Sequence, residues 1–90
     1  MEDNLGNTQY FRVETDLSSV REVLKEVCEA MNDKGYNPVN QIVGYIMSGD
    51  PTYVTSHMGA RSKIMKLERD EIVEELLNEY IRNNHWDEED

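Results

Sequence analysis

Val20, Val23, Leu24, Val27, Cys28 and Met31 recur at i, i+3, i+4, i+7, i+8 and i+11, one apolar stripe along a helix of period 3.6. That stripe has to be covered by other apolar faces, and ninety residues leave room for a single small domain to supply them. The supply is thin. Hydrophobic residues make up 38% of the chain, and a domain of this size buries only roughly 60% of the surface its unfolded chain exposes. The lone cysteine, Cys28, rules out an internal disulfide framework and a multi-cysteine zinc site. Chains in this position commonly borrow core from a partner, so homo-oligomerisation is expected.

The rest of the chain reads as further short helices. Ser19 with Glu22 three residues on suggests a capping box for the first helix, with Asp16 and Ser18 as rival caps. Gly35 marks its end. Asn37-Pro38 opens a second helix, Asn37 as N-cap and Pro38 in the first turn, with Val39, Ile42, Val43, Ile46 and Met47 as its buried stripe. Gly44 falls in its middle, where another backbone comes close or the helix tolerates the loss of about 1 kcal/mol. Gly49 ends it. Asp50-Pro51 repeats the cap-plus-proline start and predicts a single turn, with Tyr53 and Val54 packing inward and Thr55 to His57 capping the next helix. That third helix, over 58–69, puts Ala60, Ile64 and Leu67 on one face. A last helix carries Ile72, Val73, Leu76, Leu77, Tyr80 and Ile81. Its stripe is out of phase with Ile64 and Leu67, so a break with Asp70 as N-cap is expected. The fold class is therefore all-α, a small bundle of four to five short helices. Residues 1–9 read as a flexible N-terminal arm, 10–83 as the helical domain and 84–90 as an acidic tail. Within the domain, the alternation of Phe11 and Val13 suggests an extended stretch lying across the helices.

Nothing in the pattern predicts an active site, and no catalytic residue or cofactor is expected. His57 and His85 are the only histidines; the first reads as a cap or packing residue and the second as solvated. No phosphate-binding glycine loop, HExxH or GxSxG occurs. The acids Glu68, Asp70, Glu71, Glu74 and Glu75 read as a solvated helix face, Cys28 as a small buried hydrophobe, and no metal ligand set is expected. Nine basic against nineteen acidic residues give a net charge of −10, which disfavours nucleic acid and anionic membrane as partners. No run approaches the roughly 18 apolar residues of a membrane span, and the leading residues MEDNLGNTQ lack the apolar core of a signal peptide.

Against that acidity, Arg61, Lys63, Lys66 and Arg69 form the one local cluster of positive charge. With the preceding turn it has the outline of a helix-turn-helix, and a DNA-binding regulator is the alternative function. Otherwise the cluster is balanced by neighbouring acids, as in the i,i+4 pair Lys66–Asp70, or it docks an acidic partner or a phosphorylated side chain, with His57 beside it. Thr8, in the arm just ahead of two aromatic residues, is the hydroxyl best placed for a kinase, since Thr52 and Thr55 border helices.

The run Lys34-Gly35-Tyr36-Asn37-Pro38-Val39-Asn40-Gln41-Ile42-Val43-Gly44-Tyr45-Ile46-Met47-Ser48-Gly49-Asp50-Pro51 resembles the signature of the IreB family, also catalogued as UPF0297. Leu67-Glu68-Arg69-Asp70-Glu71-Ile72 and Glu74-Glu75-Leu76 resemble its second block, and the likeness extends over about residues 8–82. It implies a small cytoplasmic helical homodimer and a non-enzymatic regulatory phosphoprotein. It further implies that the chain is a substrate of a membrane serine/threonine kinase with extracellular PASTA domains. Its partners by this likeness are that kinase, a second copy, and a Clp-type protease or the enzyme that protease degrades. The function implied is control of peptidoglycan synthesis and the envelope stress response, in some members through regulated proteolysis of an early precursor enzyme. Thr8-Gln9-Tyr10-Phe11 matches the family's phosphoacceptor context, so Thr8 takes that role. Some members carry two such threonines and this chain has one before the aromatics. Where many members read Pro-Arg-His-Lys-Asp, this chain reads Thr55-Ser56-His57-Met58-Gly59. Two positive charges are lost there, so a partner surface at that point either differs in this chain or leans more on Arg61, Lys63 and Lys66.

Overall fold

The computed structural model describes residues 17–88. Four α-helices follow one another: α1 Leu17–Lys34, α2 Pro38–Ser48, α3 Ala60–Ile64 and α4 Arg69–Asn83. Two 3₁₀ turns, Pro51–Tyr53 and His57–Gly59, join α2 to α3. The described residues are thus all-helical. Residues 1–16 lie outside them, and with them the expected arm over 1–9 that carries Thr8 and the stretch at Phe11 and Val13 that was expected to be extended.

Helix α1 is the axis of the fold, about 27 Å long at 1.5 Å per residue. Its stripe buries Val20, Leu24, Val27, Ala30 and Met31, with Val23 and Cys28 packed at the margin. The helix begins by Leu17, so Ser19 and Glu22 fall inside it rather than forming its cap, and the rival cap Asp16 is outside the described residues. Gly35 stops it in the left-handed region at φ 81°. The next amide, Tyr36 N–H, then donates back to Met31 O at 2.9 Å, a closure that needs positive φ at the glycine.

Helix α2 starts as read from sequence. Asn37 Oδ1 accepts from Asn40 N–H at 3.1 Å, and Pro38 occupies the first turn. Its buried face differs from the expected one. Ile42 and Tyr45 are buried and Ile46 is partly so, whereas Val39, Val43 and Met47 stand exposed. Six of its eleven residues are large and apolar, more than one contact with α1 can cover, and periodicity does not say which subset wins. Gly44 meets an aromatic ring, not a backbone: a Cβ there would stand 2.5 Å from Tyr53 Cδ1. Tyr53 therefore lies on the surface of α2 while Val54 turns into the core.

The third helix is shorter than predicted. Only Ala60–Ile64 is α-helical, and Met65 to Glu68 form the turn. The break falls before Asp70, and Glu68 is the N-cap: its N–H donates to the Glu71 carboxylate at 3.3 Å. The phase mismatch between the two stripes located a break, but several acids in a row could serve as cap. Ala60, Ile64 and Ile72 reach the core from α3 and α4. Residues 84–88 fold back over the end of α4. Trp86 N–H donates to Ile81 O at 3.0 Å, His85 takes φ 60°, and its ring pairs with Glu88 at 2.8 Å.

Candidate functional site

The basic residues around α3 are dispersed into separate intramolecular contacts. Arg61 Nε donates to Val54 O at 2.8 Å, which satisfies a carbonyl left over by the 3₁₀ turn. Lys63 Nζ lies 3.2 Å from Glu26 of α1. Arg69 reaches back to α2: its guanidinium donates to Ile46 O at 2.9 Å and lies against Gly49, a cation at the negative end of the helix dipole. His57 Nε2 is 2.7 Å from Asp33 Oδ2 and ties the second 3₁₀ turn to the end of α1. Lys66 is exposed and its side chain makes no hydrogen bond or ion pair within the described residues. The expected Lys66–Asp70 pair is not formed there. Thr8 lies outside the described residues.

One carboxylate of the turn is perturbed. The Thr52 hydroxyl donates to Asp50 Oδ1 at 2.7 Å and the Thr52 N–H to the same oxygen at 3.0 Å. These bonds, with Arg61 nearby as a weaker influence, hold the Asp50 carboxyl below its usual range. The role is that of an N-cap.

The apolar surfaces are the larger unsatisfied feature. An apolar groove of about 220 Å3 opens between α1, α2 and α4, walled by Leu24, Cys28, Val39, Ile42, Ile46 and Leu76 among others. Burial first, then the adjacent Glu29 carboxylate, pushes the Cys28 thiol up, so it stays protonated at neutral pH. Beside the groove, and sharing Leu76 with it, α4 presents a shallow shelf of Val73, Leu76, Leu77 and Tyr80, each at least 43% exposed. Trp86 stacks edge-on against Tyr80, ring centroids 5.5 Å apart. Sequence reading placed these α4 residues on a stripe but did not find the groove, whose signal was the surplus of apolar positions on α2. Among the described residues no group of three or more His, Cys, Asp or Glu could hold a metal ion, and no helix is long and apolar enough to cross a membrane.

The sequence model of the family described as IreB regulatory phosphoprotein matches residues 6–82. The chain belongs to the IreB family. Its relatives include a UPF0297 protein of Lachnoclostridium phytofermentans, 62% identical over 81 residues, a span of 89% of this chain and 92% of that one. A UPF0297 protein of Acetivibrio thermocellus is 56% identical over 77 residues, 84% of this chain and 86% of its own length. The IreB match takes in both apolar surfaces and all of the dispersed cations. It also takes in Thr8 and the eight residues after it, up to the start of α1.

Proposed function

We propose that this IreB-family chain is a non-enzymatic cytoplasmic regulator whose Thr8 is phosphorylated by a PASTA-type serine/threonine kinase. Phosphorylation changes which protein the helical body engages. Through that exchange the chain governs peptidoglycan synthesis and the envelope stress response, by regulated proteolysis of a precursor-forming enzyme by a Clp-type protease. The observation that carries the reading is the family match over residues 6–82, which begins ahead of Thr8. The body acts as a homodimer joined at the α4 shelf. Four large apolar side chains exposed on one helix face support this, because a stable monomer seldom leaves such a patch uncovered. Contact with an acidic partner would draw on Arg61, Lys63, Lys66, Arg69 and His57. Lys66 is unengaged among the described residues, and Lys63 holds Glu26 only by a surface pair that a competing carboxylate can replace.

The DNA-binding alternative gains no support from α3, whose five residues are too short for a recognition helix lying along a groove. The test is kinase labelling of the full chain and of Thr8→Ala. Labelling lost in the variant supports the assignment, and labelling retained at Thr15 or Thr52 overturns it.

A further inference from the structure

We propose that the groove between α1, α2 and α4 is the docking site of this chain's own N-terminal segment, with Phe11 as the inserted side chain and Val13 beside it. Where regulation is concerned the proposal rests on Thr8 being the phosphoacceptor; the docking itself does not. Four observations meet at this site. The groove is concave and of about 220 Å3, while a dry apolar cavity of about 150 Å3 accommodates a benzene ring. It therefore takes a phenyl ring and a smaller neighbour. A second copy presenting a helix would fit the shallow α4 shelf better than a recess of this kind.

Reach favours the segment as well. Leu24 and Cys28 stand seven and eleven residues into the chain from Leu17, about 10 and 16 Å along α1. Phe11 precedes Leu17 by six residues, a span of about 20 Å when extended. In an extended segment Phe11 and Val13 point to the same side about 6.6 Å apart, close to the roughly 6 Å between Leu24 and Cys28. Arg12 then points away from the apolar wall. Finally, the family match starts at residue 6, so the segment is part of the matched unit and not an appendage to it.

Thr8 lies three residues ahead of Phe11, so docking would bring it to the mouth of the groove. A phosphate there adds about −1.5 to −2 of charge on a chain already at −10, beside a wall of apolar side chains that offers it no partner. Phosphorylation would thus release the segment and open the groove to a partner.

Cys28 is the only thiol in the chain and lines the site, so its alkylation by an uncharged maleimide reads occupancy in the full-length protein. Rates are measured across a dilution series for the wild type, Phe11→Ala, Val39→Asp in the groove wall, and protein with phosphothreonine incorporated at position 8. The proposal expects protection in the wild type that does not vary with protein concentration. Phe11→Ala and Val39→Asp should each raise the rate about tenfold, the factor equivalent to 1.4 kcal/mol of docking. Equal rates in wild type and Phe11→Ala overturn it. Protection that vanishes on dilution also overturns it and assigns the groove to a second copy. Phosphothreonine should raise the rate similarly. Protection lost in Phe11→Ala but kept with phosphothreonine leaves the docking in place and overturns its control by Thr8, whether or not a kinase labels that residue.

Discussion

Arg21 on α1 and Glu75 on α4 form a charged contact that enters the interior: Arg21 Nε donates to Glu75 Oε2 at 3.2 Å, and Glu75 is 3% exposed. Arg21 also bonds Glu79 at 3.3 Å, while Glu75 Oε1 has no hydrogen-bond partner among the described residues. Burying a carboxylate with one oxygen unsatisfied opposes folding. Removal of Arg21 should therefore cost more than removal of the glutamate's charge. Arg21→Ala is expected to lower stability by about 2 kcal/mol, less than the roughly 3–5 kcal/mol of a fully buried pair because the arginine is half-exposed. Glu75→Leu should be neutral or stabilising. Urea unfolding of the two variants checks the order, and a larger loss in Glu75→Leu would show that the pair holds α4 in place.

Gly44 and the Tyr53 ring occupy the same space. Alanine normally gains about 1 kcal/mol over glycine inside a helix, but here its Cβ would displace the ring. Gly44→Ala should destabilise by about 1 kcal/mol. In a Tyr53→Ala background the same change should stabilise by a similar amount. A double-mutant cycle by thermal melting measures this reversal.

Arg69 closes the end of α2 from outside the helix. Arg69→Ala removes a charged donor from the Ile46 carbonyl and should cost about 1 kcal/mol. Gly49→Ala places a Cβ both at φ 76° and against that guanidinium and should cost about 1–2 kcal/mol. Chemical denaturation of each variant gives both values.

Asp50 sets an acid-side dependence. Its carboxyl titrates lower in the folded chain than in the unfolded one. The stabilisation it gives is therefore complete above the unfolded value near 3.9 and is lost as pH falls through the lower folded value. Asp50→Asn should flatten the part of the melting-temperature profile below about pH 4 that belongs to this group. An unchanged profile would show that the Thr52 contacts do not favour the charged form.

The α4 shelf predicts an oligomeric state. Leu77 is 54% exposed, so Leu77→Asp should leave the helical fold intact while shifting sedimentation from two chains to one. A variant that stays dimeric would place the interface elsewhere.

The class of fold was legible because α1 carries a single clean stripe and because Asn37, Pro38, Gly35 and Gly49 act through local backbone geometry, which sequence states directly. What was not legible depended on choices between equivalent groups. Val39, Val43 and Met47 match Ile42 in character, and only the position of α1 decides which is covered. Glu68, Asp70 and Glu71 can all cap a helix. Of the candidate site, the clustering of Arg61, Lys63, Lys66 and Arg69 was visible. Three of them have separate partners: Val54 lies seven residues from Arg61, while Glu26 and Ile46 are distant in sequence from Lys63 and Arg69 and meet them only in the fold. The buried arginine–glutamate contact was hidden among acids that read as a solvated face.

The chain has one tryptophan. Because Trp86 rests edge-on against Tyr80 at the rim of the α4 shelf and is 65% exposed, the molecule carries a built-in optical gauge. Water leaving that rim on association would shift the indole emission to shorter wavelength, so assembly can be followed in the unlabelled native chain.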